Sequence, residues 1–540
     1  MDISPRALAH IFITSLPVLI VTVILSAFDR SSNGEHQDLL TELISLLARP
    51  ILGKPAALLK SQRAFNRDYG VWGRLWVSRW TVPVDSERVN ENEMGETDEC
   101  FNRDQGQCRP ITLRQAVWLA ILDLGKGDAE GEKVQAACFA KNEMPVVHPV
   151  EVEWTAYRRN AFPLSPRPAL SERQMYMAMM EDIGTRGPTI LYFHGGAHCL
   201  MDPVTHRWPT STLAKESGGR VLSVRYRLSP QHVFPASLLD ALSVYMALIA
   251  PPASAYHEAV RASQIVIDGD SSGAGLAASL LLLLQTLARQ HVSVKMRGTT
   301  IRIPDPVCAG VALASPWLDI TRCLPSTTAN ARWDIIAPPS ASRMGDPTPA
   351  FPPDEIWPAS PPRVETYCTA EICTHPLVSP LAAQSYHWRG VPPVYVCVGW
   401  EGMQDETEVF ARRIFGADPE KQIVIFDGYA GMPHCFALFP WNWAGRTAMQ
   451  RWGRFCNAVV HGKGPLKLRA RATWTSSNKA KEVVEVGLTQ LAITNVGCWY
   501  QRERMDDHVV DEKLTEAREW RIKLNRMLVA QGDKRQAASL

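Results

Sequence analysis

The stretch from Ile265 to Leu284 limits what this chain can fold into more than any other. Ile265-Val266-Ile267-Asp268 is a short β-branched run, the pattern of a buried strand. Gly269-Asp270-Ser271-Ser272-Gly273-Ala274-Gly275 follows it directly, and then the apolar run Leu276 to Leu284, which reads as a helix. A strand that turns at once into a helix leaves no room for side chains at the turn. Glycines two before and two after Ser271 let strand and helix approach, and the serine between them is held in a strained conformation with Oγ pointing outward. This presents a nucleophile at the end of a sheet. In a chain with 34 glycines, G-x-S-x-G also arises as an ordinary turn, so the rest of the sequence has to decide.

From Val150 onward, candidate strands alternate with candidate helices. Val150–Tyr157, Thr189–Phe193, Arg220–Val224, Ala309–Ala314, Val394–Val398 and Gln422–Phe426 read as strands. Pro235–Ile249, the helix after Ser271 to about Gln290, Thr407–Phe415 and Thr447–Val460 read as helices. This alternation predicts an α/β fold with a mostly parallel central sheet and helices on both faces, spanning 149–464. Ligands of such sheets bind at the carboxyl ends of the strands, where Ser271 stands. Residues 322–366 interrupt the alternation with Pro338-Pro339, Pro352-Pro353 and Pro361-Pro362. Prolines at this density exclude helix and central strand and predict a long surface insertion bordering the site. After Pro465 the fold reads as finished. The extension 465–540 carries one apolar stripe, Val510, Leu514, Ala517, Trp520, Leu524 and Met527, expected to dock as a helix on the domain.

Toward the amino terminus, Ile11 to Phe28 is an uncharged apolar run at the lower edge of what spans a bilayer, within a segment 1–30. An uncleaved membrane anchor is the leading reading, with a cleaved signal peptide and a buried core helix beside it. The expected location is a membrane, single-pass, with the endoplasmic reticulum as the candidate. Residues 31–148 read as a helical cap and polar loop region. Leu39–Leu47 is an amphipathic helix stopped by Pro50, which Leu52–Leu59 could continue, and Ile111–Leu124 returns to helical periodicity. Trp72, Trp76 and Trp80 recur every four residues, as on the inner face of a cap helix or a membrane-surface patch. Asp85 to Arg109 is a polar surface loop. A net charge of +2 over 540 residues provides no basic field for nucleic acid. Twelve cysteines without a C-x-x-C pair argue against a zinc site, although Cys100/Cys108 and Cys368/Cys373 could pair in an oxidising compartment. No metal or organic cofactor is implied.

A serine hydroxyl needs a base, a group that orients the base, and donors for an oxyanion. His194-Gly195-Gly196-Ala197-His198 follows the Thr189 strand, and residues without bulk let backbone N–H groups converge. The amides of Gly196 and Ala197, with that of Ser272, are the candidate oxyanion donors. Gly195 is counted with them in the oxyanion hole, where it shapes the turn, and His194 holds the loop. The candidate base is His434, on the loop after the last strand of the alternation. Glu401, just beyond the Val394 strand, is the candidate acid. Asp405 is the runner-up, because it and Glu406 fall in the first turn of the next helix, where the helix dipole already explains them.

These residues resemble the hormone-sensitive-lipase-like group of α/β-hydrolases, over about Thr189 to Val460. The motifs fall in that family's order: His194-Gly195-Gly196-Ala197; Tyr226-Arg227-Leu228-Ser229-Pro230 with Phe234-Pro235-Ala236 and Asp240; Gly269 to Gly273; Ser315-Pro316-Trp317-Leu318-Asp319; His375 to Leu381; then Glu401 and His434. The Ser-Pro-Trp block and the apolar amino-terminal segment look most like the fungal branch that includes steryl acetyl hydrolases. The resemblance implies an α/β-hydrolase fold capped by amino-terminal helices, Ser271, Glu401 and His434 as the triad, and the Tyr226 to Asp240 block as a brace for the oxyanion loop. It implies a serine carboxylesterase acting on a small-molecule ester, sterol or terpenoid among the lipophilic choices. An accessory hydrolase of a secondary-metabolite pathway is the alternative, and a non-catalytic ligand-binding protein on the same fold a remoter one. Three positions depart from the family pattern: Ala197 for glycine, Gln231 for glutamate and Glu401 for aspartate.

Overall fold

The computed structural model describes residues 5–27, 31, 33, 36–53, 56–84, 110–125, 144–338, 351–462, 470–476, 483–491 and 505–539. The polar stretch 85–109, with Cys100 and Cys108, lies outside them. A ten-stranded sheet forms the centre. Its strands are β1 (Leu75–Val82), β2 (Val150–Tyr157), β3 (Thr189–Phe193), β4 (Arg220–Val224), β5 (Ile265–Asp270), β6 (Gly310–Ala314), β7 (Val394–Gly399), β8 (Val424–Ala430), β9 (Arg471–Ser476) and β10 (Val483–Val486). They lie in the order β1-β2-β4-β3-β5-β6-β7-β8-β9-β10. From β4 to β9 all neighbours are parallel; β1, β2 and β10 are antiparallel to theirs. The sheet is therefore mostly parallel, as expected, and its central strands β3 and β5 to β8 are buried at every position because helices cover both faces.

The helices are α1 (Pro5–Ala27), α2 (Leu39–Gly53), α3 (Leu58–Phe65), α4 (Leu113–Leu124), α5 (Glu172–Ile183), α6 (Arg207–Ser217), α7 (Ala236–Ile249), α8 (Ser271–Arg289), α9 (Gln404–Ala417), α10 (Trp443–His461) and α11 (Asp507–Ser539). One layer is α4, α7 and α8, packed on one another; α6 and α10 pack together on the other side. α8 is buried from Ser271 to Ala288 and forms the middle of the core. Burial of a leucine side chain stabilises by about 1.5–3 kcal/mol, so the run Leu280–Leu284 contributes much of what holds α8 to the sheet.

Three expectations need correction. Trp72, Trp76 and Trp80 are not on a helix: Leu75–Val82 is the edge strand β1. Residues four apart share a face in a strand as they do in a helix, so the spacing does not separate the two. Trp76 and Trp80 are buried on that face, while Trp72, before the strand, is exposed. Pro50 does not stop α2, which runs to Gly53; in the last turn a proline removes one hydrogen bond at most. Nor is the fold finished at Pro465. β9 pairs in parallel with β8, and the Trp474 ring fills the space above Gly428, where any side chain would collide with it.

Two terminal elements frame the domain. α1 exposes Phe12, Ile13, Leu16, Val18, Ile20, Val21, Val23, Ile24 and Leu25, while Leu19 and Thr22 are buried where it packs on α2. α11 docks through buried Val510, Leu514, Leu524 and Leu528, with Met527 turned outward. Its first turn is held by Arg412 and Arg413, whose guanidinium groups donate to Asp507 and Asp511 at 2.7 Å. Cys368 and Cys373 are buried free thiols.

Candidate active site

β5 ends and α8 begins at Ser271, which has φ +52°, a left-handed backbone conformation that a non-glycine residue rarely adopts. The turn needs its glycines for space. A Cβ on Gly273 would strike the carbonyl of Phe193, and one on Gly269 the backbone of Gly273. Ser271 is 8% exposed.

The loop after β8 brings His434 to it. His434 Nε2 lies 2.8 Å from Ser271 Oγ, and His434 Nδ1 lies 2.9 Å from Glu401 Oε2. An ionised carboxylate only accepts, so Nδ1 carries the proton and donates to Glu401, leaving Nε2 as the acceptor for the serine hydroxyl. Burial pushes the His434 imidazole down, but Glu401, then Asp334 and Asp270, pull it up, and the net is above the ordinary histidine value of 6.5. Glu401 is fully buried; burial raises its carboxyl above the ordinary value, against the pull of His434.

Asp405 is not at the histidine. Its Oδ2 accepts the N–H of Ser326 at 2.7 Å, and the Ser326 hydroxyl oxygen accepts the Asp405 N–H in return at 3.1 Å. Glu406 accepts the N–H of Leu318 at 3.2 Å. Both carboxylates thus pin loops of the domain to the start of α9, a use beyond the helix dipole.

The loop after β3 lies against the turn. Gly196, Ala197 and His198 all have positive φ, at +119°, +54° and +58°. The amides of Gly196 and Ala197 donate to no protein group among the described residues. The Ser272 N–H is in the first turn of α8, where no helical acceptor exists. Gly195, counted with the oxyanion donors on sequence, is different: its N–H donates to Asp270 Oδ1 at 3.0 Å. The same carboxylate accepts the Tyr192 hydroxyl at 2.6 Å and faces His206 Nε2 at 3.3 Å. Burial raises the Asp270 carboxyl, yet these partners outweigh it and hold it down to about 2. A charged Asp270 therefore fixes Gly195, and with it the loop.

His194 stays neutral and structural. Burial, then the neighbouring His206, lowers it to about 3. Its Nδ1 pairs with Gly195 O at 2.7 Å, and its ring stacks on Tyr226 with centroids 4.4 Å apart. In the brace, Arg227 donates to both Asp240 oxygens at 2.8–3.0 Å. Gln231 donates to Gln62 of α3 at 2.7 Å, and Gln62 donates in turn to Cys199 O at 2.9 Å. A neutral amide pair thus links cap and loop where a glutamate was expected.

Sequence reasoning missed several of these supports. Asp270 was in plain view inside the motif, and an acid beside the serine was the signal. Ser315, whose hydroxyl accepts the Cys435 N–H at 3.0 Å, stood in the Ser-Pro-Trp block. Gln62 and Asp334 carried no signal, since each works through contacts far along the chain.

The central part of the chain is similar to known proteins. Residues 190–438 match the family of the α/β-hydrolase fold. An acetyl-hydrolase of Streptomyces hygroscopicus is 28% identical over 289 residues, which cover 52% of this chain and 78% of that protein. An esterase of Acinetobacter venetianus is 29% identical over 252 residues, 46% of this chain and 68% of the relative. A solved esterase from the bacterial hormone-sensitive lipase family aligns with 64% of this chain and 98% of its own, at 22% identity and a TM-score of 0.39. The class that fold and family match define is that of the α/β-hydrolases. Within it, the chain is similar to esterases and acetyl-hydrolases of the hormone-sensitive-lipase-like kind.

Proposed function

We propose that this carboxylic-ester hydrolase works through an acyl-enzyme on Ser271. The observation that carries the reading is the unbroken line from Ser271 Oγ through His434 to Glu401, with spacings of 2.8 and 2.9 Å. His434 Nε2 takes the Oγ proton as Oγ bonds to the ester carbonyl carbon, and the carbonyl π pair moves onto its oxygen. The free amides of Gly196, Ala197 and Ser272 receive that oxyanion. They cost no reorganisation, because β3, β5 and α8 already hold them in place. Collapse breaks the bond to the alcohol oxygen, which leaves with the proton from Nε2. A water then gives a proton to Nε2 as its oxygen bonds to the acyl carbon; collapse of this second intermediate breaks the bond to Oγ, which takes the proton back from Nε2, and the acid is released. Glu401 keeps Nδ1 protonated throughout and stabilises the imidazolium.

The substrate reading is a short acyl ester, an acetate first, of a lipophilic alcohol such as a sterol or terpenoid. An acetyl-hydrolase among the relatives supports the acyl part, and the apolar helix α1 supports the lipophilic part. A fluorophosphonate should label the purified protein once, on the peptide holding Ser271, and a p-nitrophenyl series should be cleaved fastest at acetate or propionate. Labelling elsewhere would sink the nucleophile assignment, and a maximum at long chains would sink the acyl assignment.

α1 is read as a single-pass membrane anchor. Most of its apolar side chains face outward, where water would be the wrong solvent, and only a narrow strip with Leu19 packs on α2. The full chain should resist extraction by sodium carbonate, and deletion of residues 1–30 should release an active enzyme into the soluble fraction. Release of the full chain by carbonate alone would overturn the anchor.

A further inference from the structure

The insertion at 322–366 brings the site a carboxylate that the serine chemistry does not use. Asp334 is 1% exposed. Its Oδ1 accepts the backbone N–H of His434 at 3.0 Å and that of Ile335 at 2.7 Å. Its Oδ2 accepts the N–H of Gly402, the residue after Glu401, at 2.8 Å. One side chain therefore ties the loop of the base to the loop of its acid. A second residue of the insertion does part of the same work: Asn330 donates to Glu401 O at 2.9 Å and to Gln404 Oε1 at 2.7 Å.

The amino-terminal cap grips this segment from outside. Arg49 of α2 donates to Asp334 O at 2.7 Å. Gln37 donates to Trp333 O at 3.0 Å and to Gly431 O, on the His434 loop, at 2.6 Å. The insertion is thus clamped between the cap and the two catalytic loops. A Pro-rich segment suits this place, because its backbone has few conformations to lose on docking.

We propose that Asp334 is a positioning residue of the site, holding the His434 and Glu401 loops in register and placing a second negative charge beside the imidazole. This rests on the reading of Ser271, His434 and Glu401 given above. The charged and titratable groups around the imidazole are Glu401, Asp334, Asp270 and Cys435. Those around Asp334 are Arg322, Arg49 and Glu401, with the His36 ring packed on Trp333 and Trp400. The two arginines offset part of its field, so its pull on the imidazole is weaker than that of Glu401, and of the same sign.

The test uses the full chain and p-nitrophenyl acetate. Asp334→Asn keeps an oxygen for one loop, sets an amide against the N–H of the other, and removes the charge. Its kcat should fall by about tenfold or more with KM little changed, as a loss of alignment does. The acid limb of its kcat/KM profile should move to lower pH, because one group that raises the imidazole is gone. Asp334→Glu restores the charge but not the reach; its acid limb should return toward wild type while kcat stays low. A folded Asp334→Asn protein with wild-type kcat and an unmoved acid limb overturns the proposal. Loss of the near-UV circular dichroism of the fold in both Asp334→Asn and the smaller Asp334→Ser also overturns it, since Asp334 would then be a folding residue. Failure of the parent reading looks different: it leaves fluorophosphonate labelling intact in Ser271→Ala, whatever Asp334 does.

Discussion

Replacing Ser271 by alanine should lower kcat for p-nitrophenyl acetate by about six orders of magnitude and abolish fluorophosphonate labelling, with the fold unchanged. The side chain lost is a single hydroxyl at the mouth of the site, and the backbone carbonyl that receives the Trp317 N–H at 3.0 Å stays where it is. The turn that strains this position is set by the packing of β5 on α8 and by Gly269 and Gly273, none of which depends on Oγ. What disappears is the atom that forms the covalent bond. His434→Ala should cost about as much, and the double variant little more, because serine and histidine act as one unit and their losses do not add. The residual rate, on the order of 10³–10⁴ over water, should come from the amides of Gly196, Ala197 and Ser272 and from substrate binding. Active-site titration alongside kcat distinguishes a slow enzyme from a trace of contaminating esterase. Ser271→Ala protein that still takes up one equivalent of fluorophosphonate would place the nucleophile elsewhere.

The legibility of this chain follows the range over which each residue acts. The β5–α8 turn is read from eleven consecutive residues because strand, glycines and helix are neighbours in sequence, and steric crowding at the turn leaves little choice. The parallel strands from β3 to β8 are equally plain, being apolar runs bounded by turns. β1 was misread because tryptophans four apart share a face in either kind of element, and only its pairing with β2 separates the two. β9 was missed because six residues beside a basic stretch carry a weak signal; Trp474 over Gly428 supplies the packing that makes them a strand. The supports of the site were hardest to read. Asp334 meets His434 across 100 residues of sequence, and Gln37 meets Gly431 across 394, so nothing local marks either one. That the Gly195 N–H is taken is equally out of reach, because the sequence does not show that Asp270 folds back to accept it.

Glu401→Gln should cost about 10⁴-fold in kcat, ~5 kcal/mol of transition-state stabilisation, while Asp405→Asn should leave kcat within about tenfold of wild type. The glutamine is the same size as the residue it replaces, so the fold has no reason to change. Its amide N–H₂ can donate to His434 Nδ1, which moves the imidazole proton to Nε2, the atom that must accept from Ser271. The charge that stabilises the imidazolium is lost in the same step. Asp405 has neither role: its Oδ2 accepts the Ser326 N–H, and an asparagine oxygen still can. The pH profile gives an independent readout with a definite sign. The base works as neutral imidazole, so wild-type kcat/KM should fall as pH drops through the His434 pKa, which lies above 6.5. Burial is the largest influence on that group and lowers it; Glu401 is the first of those that raise it. Without the Glu401 charge, burial is opposed only by Asp334 and Asp270, and the acid limb of the residual activity should move to lower pH. Asp405→Asn should leave that limb in place. The reverse order of effects, a large loss and a moved limb in Asp405→Asn with near-normal Glu401→Gln, would make Asp405 the acid. Such a result would require the loop after β7 to rearrange in solution, because Glu401, 2.9 Å from Nδ1, already occupies the position that Asp405 would need.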